Sequence, residues 1–209
     1  MCVQPSEINF QLPSWIADFI NNFSKIEDIQ KRMSFVIEAS GRNVAEQTGG
    51  PFAAAIFEKD SGRLVSLGVN LVTTEGMSIL HAEMVAFAVS QKKLNTYDLG
   101  GRGMANHELV ASAEPCAMCF GAIPWSGVRR VITGARDSDT RSIGFDEGPK
   151  MVNWKEELEN RGIEVICDVQ REEAASVLAE YSSYGGRIYN SRETSIENEV
   201  VKKSVGSVK

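Results

Sequence analysis

The sequence predicts a three-layer α/β/α fold built on a mixed sheet, and three observations carry that prediction. Apolar strand-like runs alternate with helix-like segments from "HELVASAE" to "REEAASVLAEYSSYGG", which implies parallel strands with helices on both faces. Ahead of them, "GGPFAAAIFEKDSGRLVSLGVN" reads as two short apolar strands joined by a turn, so the sheet is mixed. Finally, 209 residues with 43% hydrophobic content can bury one sizeable core, and no internal repeat or Pro/Gly linker divides them.

The elements follow in order. Ser14 is placed to cap a short helix through "WIADFINNF", and Ser24 with Glu27 forms a capping-box pattern ahead of Ile26, Ile29, Met33 and Ile37, the apolar stripe of a second helix. The hairpin turns at Asp60-Ser61-Gly62, whose polar and glycine residues interrupt the apolar runs. A helix is expected over 80–92, then "HELVASAE" as a buried strand, "CAMCFGAIPWS" as a helix and "VRRVITGA" as a strand. "WKEELENRG" is read as a helix, "IEVICDV" as a strand and "REEAASVLAEYSSYGG" as the last helix. The folded domain is expected over 1–190. "SRETSIENEVVKKSVGSVK", polar and without aromatics, is expected to be a flexible tail over 191–209.

Composition narrows the function. A net charge of −6 provides no global basic field for a polyanion, which disfavours nucleic acid as a partner. No apolar run approaches the roughly eighteen residues of a membrane span, and "MCVQPSEINF" lacks the order of a secretion signal, so a cytoplasmic protein is expected. Of four cysteines, Cys116 and Cys119 form a close pair, which in a reducing compartment is more often a metal or redox site than a disulfide.

Zinc is held tetrahedrally by thiolates and imidazoles, and a catalytic zinc keeps one position open for water. Cys116 and Cys119 lie on one helical face about a turn apart. His81 stands at the start of another predicted helix, whose end would approach the same crevice of the sheet. One His and two Cys would leave the fourth position open. A dithiol redox pair, half of a structural zinc site and coincidence remain alternatives for Cys-x-x-Cys alone. His107 is read as a solvated loop histidine and Cys167 as a small core residue, and neither has ligand spacing.

"His81-Ala82-Glu83" followed by "Pro115-Cys116-Ala117-Met118-Cys119" resembles the signature of the cytidine-deaminase-like zinc deaminases over roughly residues 50 to 190. The resemblance implies a mixed five-stranded sheet between helices, one zinc per subunit on His81, Cys116 and Cys119, and Glu83 as a general acid/base that is not a ligand. "GGPFAAAIFEKDSG", "VNLVTTEGMSILHAE" and "IGFDEGP" are similar to the bacterial guanine deaminase branch, including members that accept triazine amines such as ammeline. That likeness implies Asn70 and Ala82 as substrate contacts, Phe52 and Phe145 packing on a purine ring, Glu147 as a second proton-transfer carboxylate and Asp146 as its assistant. It also implies a homodimer acting on a free nucleobase. A tRNA adenosine deaminase shares the metal motif, but the basic stretch Arg129, Arg130, Arg136 and Arg141 is interleaved with acids. A zinc-binding interaction module without catalysis is the reading from another class.

Overall fold

The computed structural model describes residues 4–191 apart from Asn22 and Ser24. A short helix α1 (Trp15–Asn21) begins directly after Ser14. The second helix, α2 (Ile29–Ala45), starts later than the capping-box pattern predicts, because Asp28 is the N-cap: its carboxylate accepts from the amides of Gln30 at 2.7 Å and Lys31 at 3.3 Å. Ser24 lies outside the described residues, as does the predicted tail from residue 192 onward.

The hairpin forms as expected, β1 (Ala53–Glu58) pairing antiparallel with β2 (Leu64–Val69), with Gly62 at φ +72° in the turn. A one-turn helix α3 (Val72–Glu75), too short to leave a sequence period, precedes α4 (Ala82–Leu94), which starts and ends two residues later than predicted. Strand β3 (His107–Ala113), helix α5 (Ala117–Ser126) and strand β4 (Arg130–Ala135) follow. Then come α6 (Asp137–Ser142), which the sequence did not signal, α7 (Trp154–Glu159), the three-residue β5 (Glu164–Ile166) and α8 (Arg171–Ser183). The sheet order is β2-β1-β3-β4-β5; β1 runs antiparallel to β2 and β3, and β3, β4 and β5 run parallel.

Both faces of the sheet are covered, which is why its strands read as continuous apolar runs. In β1 the pleat sends Ala53, Ala55 and Phe57 to a cluster with α1 and α2, while Ala54 and Ile56 face a cluster with α4, α5 and α7. Three layers result, as the alternation of elements predicts. Cys167 is half-buried at the margin of the second cluster.

His107 is not a solvated loop histidine. It is the first residue of β3, 1% exposed, with Nδ1 2.7 Å from the Leu99 carbonyl. The preceding "GRGMAN" gives a loop-like look to a residue that the ladder has already taken in.

Next to it, at the end of the sheet away from the strands' carboxyl ends, Glu108 is fully buried between Arg32 and Arg130. Arg32 Nη1 donates to it, and Arg130 Nε does so at 2.6 Å. Removing one partner of such a group leaves an uncompensated buried charge. Glu108→Ala should therefore lower unfolding free energy by about 3–5 kcal/mol, read from urea melts.

Candidate metal centre and pocket

Topology gathers the site. Because β1 is antiparallel to both of its neighbours, the start of β1 and the ends of β2 and β3 lie at one edge of the sheet. Phe52 precedes β1, Asn70 follows β2, and Cys116 follows β3 by three residues. Ligands of open α/β sheets bind in such a crevice beyond the strand ends.

His81 and Cys116 occupy the same local position: each is an extended residue immediately before the first turn of a helix, α4 and α5 respectively. Neither caps its helix with its side chain, so both are free to turn toward the crevice. Gly68 of β2 fixes how closely α4 approaches. A Cβ there would fall 2.3 Å from the Ala82 carbonyl oxygen and 2.4 Å from the Ala86 amide, so only glycine lets the first turn of α4 lie on the strand. One ligand atom from each of His81, Cys116 and Cys119 lies within 4.8 Å of the others, and Cys116 Sγ is 3.4 Å from His81 Nδ1. This is the group of His, Cys, Asp or Glu placed to hold a metal ion among the described residues.

The electrostatics suit a cation. Hydrogen bonding from Cys119 and the neighbouring His81 hold the Cys116 thiol down to about 4, despite its burial. Cys119, which donates in that bond and is deeply buried, is pushed well above the ordinary thiol range, so the metal-free pair keeps one proton. Burial works against the charged form of His81, but its bond to Cys116 and the charges of Glu83, Cys116 and Glu147 leave its pKa raised. Burial, then the Cys116 thiolate, raises Glu83. Burial pushes Glu147 up to about 8, with the charges of Cys116 and Glu83 adding to it. Two thiol sulfurs and an imidazole nitrogen form a soft donor set that fits zinc and does not suit magnesium or calcium, and a cation there would relieve the crowding of negative charge.

Beside the donors opens a cavity of about 390 Å³. Phe52, Asn70, Glu83, Phe145, Asp146 and Glu147 all line it. Ala82 does not; its side chain is packed into the core beneath α4. Asn70 is 1% exposed, its carbonyl held by Asn43 Nδ2 at 3.0 Å and its Oδ1 accepting from the Val72 amide at 3.2 Å. It is a turn former and a pocket residue at once. Phe52 and Phe145 meet edge to face at 5.1 Å. The Asp146 carboxylate accepts from the Gly148 amide at 2.9 Å and shapes its own loop.

One wall was not singled out by the sequence. Tyr189, in an irregular segment after α8, lines the cavity and packs edge to face on Phe145 at 4.9 Å. Asn190 beside it accepts from the Asp146 amide at 2.8 Å and donates to the Gly144 carbonyl at 2.8 Å. No local pattern announces either residue, since their partners lie more than forty positions upstream.

The cytidine and deoxycytidylate deaminase zinc-binding region matches residues 26–135, a span holding all three donors and Glu83. The chain belongs to this deaminase family. Zinc is the cofactor of the deaminase, and His81, Cys116 and Cys119 are the group positioned for it. Guanine deaminase of Nitrosomonas europaea superposes with a TM-score of 0.83 at 42% identity, covering 87% of the deaminase and 100% of that chain. A structure in complex with 2,6-diaminopurine superposes with a TM-score of 0.82 at 45% identity, covering 88% and 97%. In sequence, guanine deaminase of Bacillus subtilis is 37% identical over 99 residues, a match spanning 47% of the deaminase and 59% of that relative's length. The tRNA-specific adenosine deaminase of Haemophilus influenzae is 30% identical over 156 residues, or 73% and 82% of the two chains.

Proposed function

We propose that the deaminase hydrolyses guanine to xanthine and ammonia. The observation that carries this reading is a cavity that combines the metal donors with two buried carboxyls, Glu83 and Glu147, an asparagine and an aromatic wall. The likeness to a guanine deaminase along its whole length supports it.

Zinc, when bound, supplies Lewis acidity and makes water a competent nucleophile at neutral pH. The chain does the rest. Phe52, Phe145 and Tyr189 form an apolar slot for a flat ring and exclude bulk water. With its Oδ1 engaged by the Val72 amide, Asn70 presents its Nδ2 donor to a ring acceptor. Glu83, on the first turn of α4 beside the donors, takes the proton from the attacking water and returns one to ring nitrogen. Glu147, across the cavity, serves the exocyclic amine at C2 as it leaves as ammonia, with Asp146 shaping its loop. Asn70→Ala should raise KM for guanine by about three- to tenfold, the worth of one recognition hydrogen bond, measured by steady-state kinetics.

Ammonia release from guanine, 2,6-diaminopurine, ammeline, cytosine and a tRNA stem-loop tests the substrate assignment, and we expect guanine to be turned over. The adenosine deaminase reading draws on the H. influenzae relative. Against it, Arg130, Arg136 and Arg141 of the basic stretch are ion-paired with Glu108, Asp168 and Asp137, so they are spoken for before a phosphate arrives. Editing of the stem-loop without guanine turnover would reverse the choice, and no ammonia from any amine would favour a non-catalytic zinc module. The same reading makes the deaminase a cytoplasmic homodimer whose catalytic unit is residues 1–190, with a tail from 191 that is dispensable for folding. Sedimentation tests the dimer, and an unchanged melting midpoint in a chain cut after Asn190 tests the tail.

A further inference from the structure

Residues 143–150 bring Glu147 to the cavity without regular secondary structure, so the shape of this segment is imposed from outside. Upstream, Asn190 bridges Gly144 and Asp146. At the centre, the Glu147 carbonyl accepts from the Ala117 amide at 2.9 Å, one residue past Cys116. Downstream stands Lys150, with a side chain only 7% exposed. Its Nζ is 3.0 Å from Glu114 Oε2 and 3.0 Å from Asp137 Oδ1, and it lies over the Trp154 ring at 5.2 Å. Glu114 follows β3 and itself lines the cavity; Asp137 opens α6. The Lys150 amide donates to the Gly148 carbonyl at 2.9 Å, and Arg141, which grips Asp137 at 2.6 Å, donates to that same carbonyl at 3.1 Å. Gly148 sits at φ +68°, the left-handed region that favours glycine.

A buried ammonium between two carboxylates is a poor way to add stability, because desolvation cancels much of the attraction and apolar substitutes do as well. What such a cluster does provide is a fixed geometry. Here it ties three segments together: the end of β3 that leads into the cysteines, the start of α6, and the loop itself.

We propose that Lys150 is a positioning residue for the deamination: by bridging Glu114 and Asp137 it holds residues 143–150 so that the Glu147 carboxyl faces the metal donors and the bound ring. The inference rests on the role given to Glu147 above.

A double-mutant cycle on the zinc-loaded enzyme with guanine tests it. Lys150→Met, which keeps chain length and removes the charge, should lower kcat on the order of 10- to 100-fold with KM changed little, as displacement of a reacting group by about an ångström does. In a Glu147→Gln background the same substitution should cost less than about twofold, since there is no longer a carboxyl to position. Lys150→Arg, which keeps a cation between the carboxylates, should recover most of the loss. If Lys150→Met folds poorly, Asp137→Asn removes the other end of the bridge and should show the same dependence on Glu147. Undiminished turnover in Lys150→Met, or an equal loss in both backgrounds, overturns the positioning role and leaves guanine deamination standing. Full turnover in Glu147→Gln by itself overturns the role of Glu147 and this inference with it.

Discussion

Glu83→Gln should retain zinc and fold normally while losing roughly 10²-fold or more in kcat, the usual cost of removing a positioned acid/base. The amide keeps the shape of the side chain in a nearly closed space, 8% exposed, so the packing around the first turn of α4 is preserved. What it lacks is a site that takes a proton and gives it back. Zinc content by elemental analysis and single-turnover kinetics with guanine measure the two halves separately. A zinc-replete variant with near-normal turnover would remove Glu83 from the mechanism.

Cys119→Ala should abolish both bound zinc and turnover. Cys119 is fully buried on the first turn of α5, with no solvent to substitute for its sulfur, and its loss leaves one imidazole and one thiolate to hold the ion. Cys116→Ala should behave in the same way. Chelation of the wild-type enzyme should likewise remove activity, and added zinc should restore it where magnesium does not, because the donor set is nitrogen and sulfur. Secondary structure should survive in each case: the apolar clusters on both faces of the sheet do not include His81, Cys116 or Cys119. Wild-type zinc content in either variant would refute the ligand assignment.

Sequence shows the chemistry of this site more readily than its enclosure. His81 with Glu83, and Cys116 with Cys119, are legible because each pair sits within one helical turn, where spacing along the chain is spacing in three dimensions. The three layers are legible for a similar reason, since a strand buried on both faces cannot hide its apolar run. Convergence of Phe52, Asn70 and Phe145 followed only from likeness to a known family; an antiparallel β1 returns the hairpin, with Phe52 and Asn70, to the carboxyl end of β3, and Phe145 arrives on the irregular segment after α6. His107 was misread because its partner, the Leu99 carbonyl, lies across a glycine-rich loop and gives no local signal. The N-cap falls at Asp28, later than the Ser24 pattern suggests, because the Asp28 carboxylate takes up the amides of Gln30 and Lys31. Lys150 reads as a surface lysine until Glu114 and Asp137 are brought to it from other elements.

The two bonds between Asn190 and the loop of Glu147 make the shape of that loop depend on a segment synthesised more than forty residues later. On the ribosome the sheet, the metal donors and both carboxyls emerge well before Tyr189 and Asn190 do, and domains begin to fold as their segments become available. A nascent chain therefore carries every metal donor before it carries the last wall of the aromatic slot. A chain cut just short of Tyr189 keeps His81, Cys116, Cys119 and both carboxyls but loses that wall and the Asn190 bridge to the loop of Glu147.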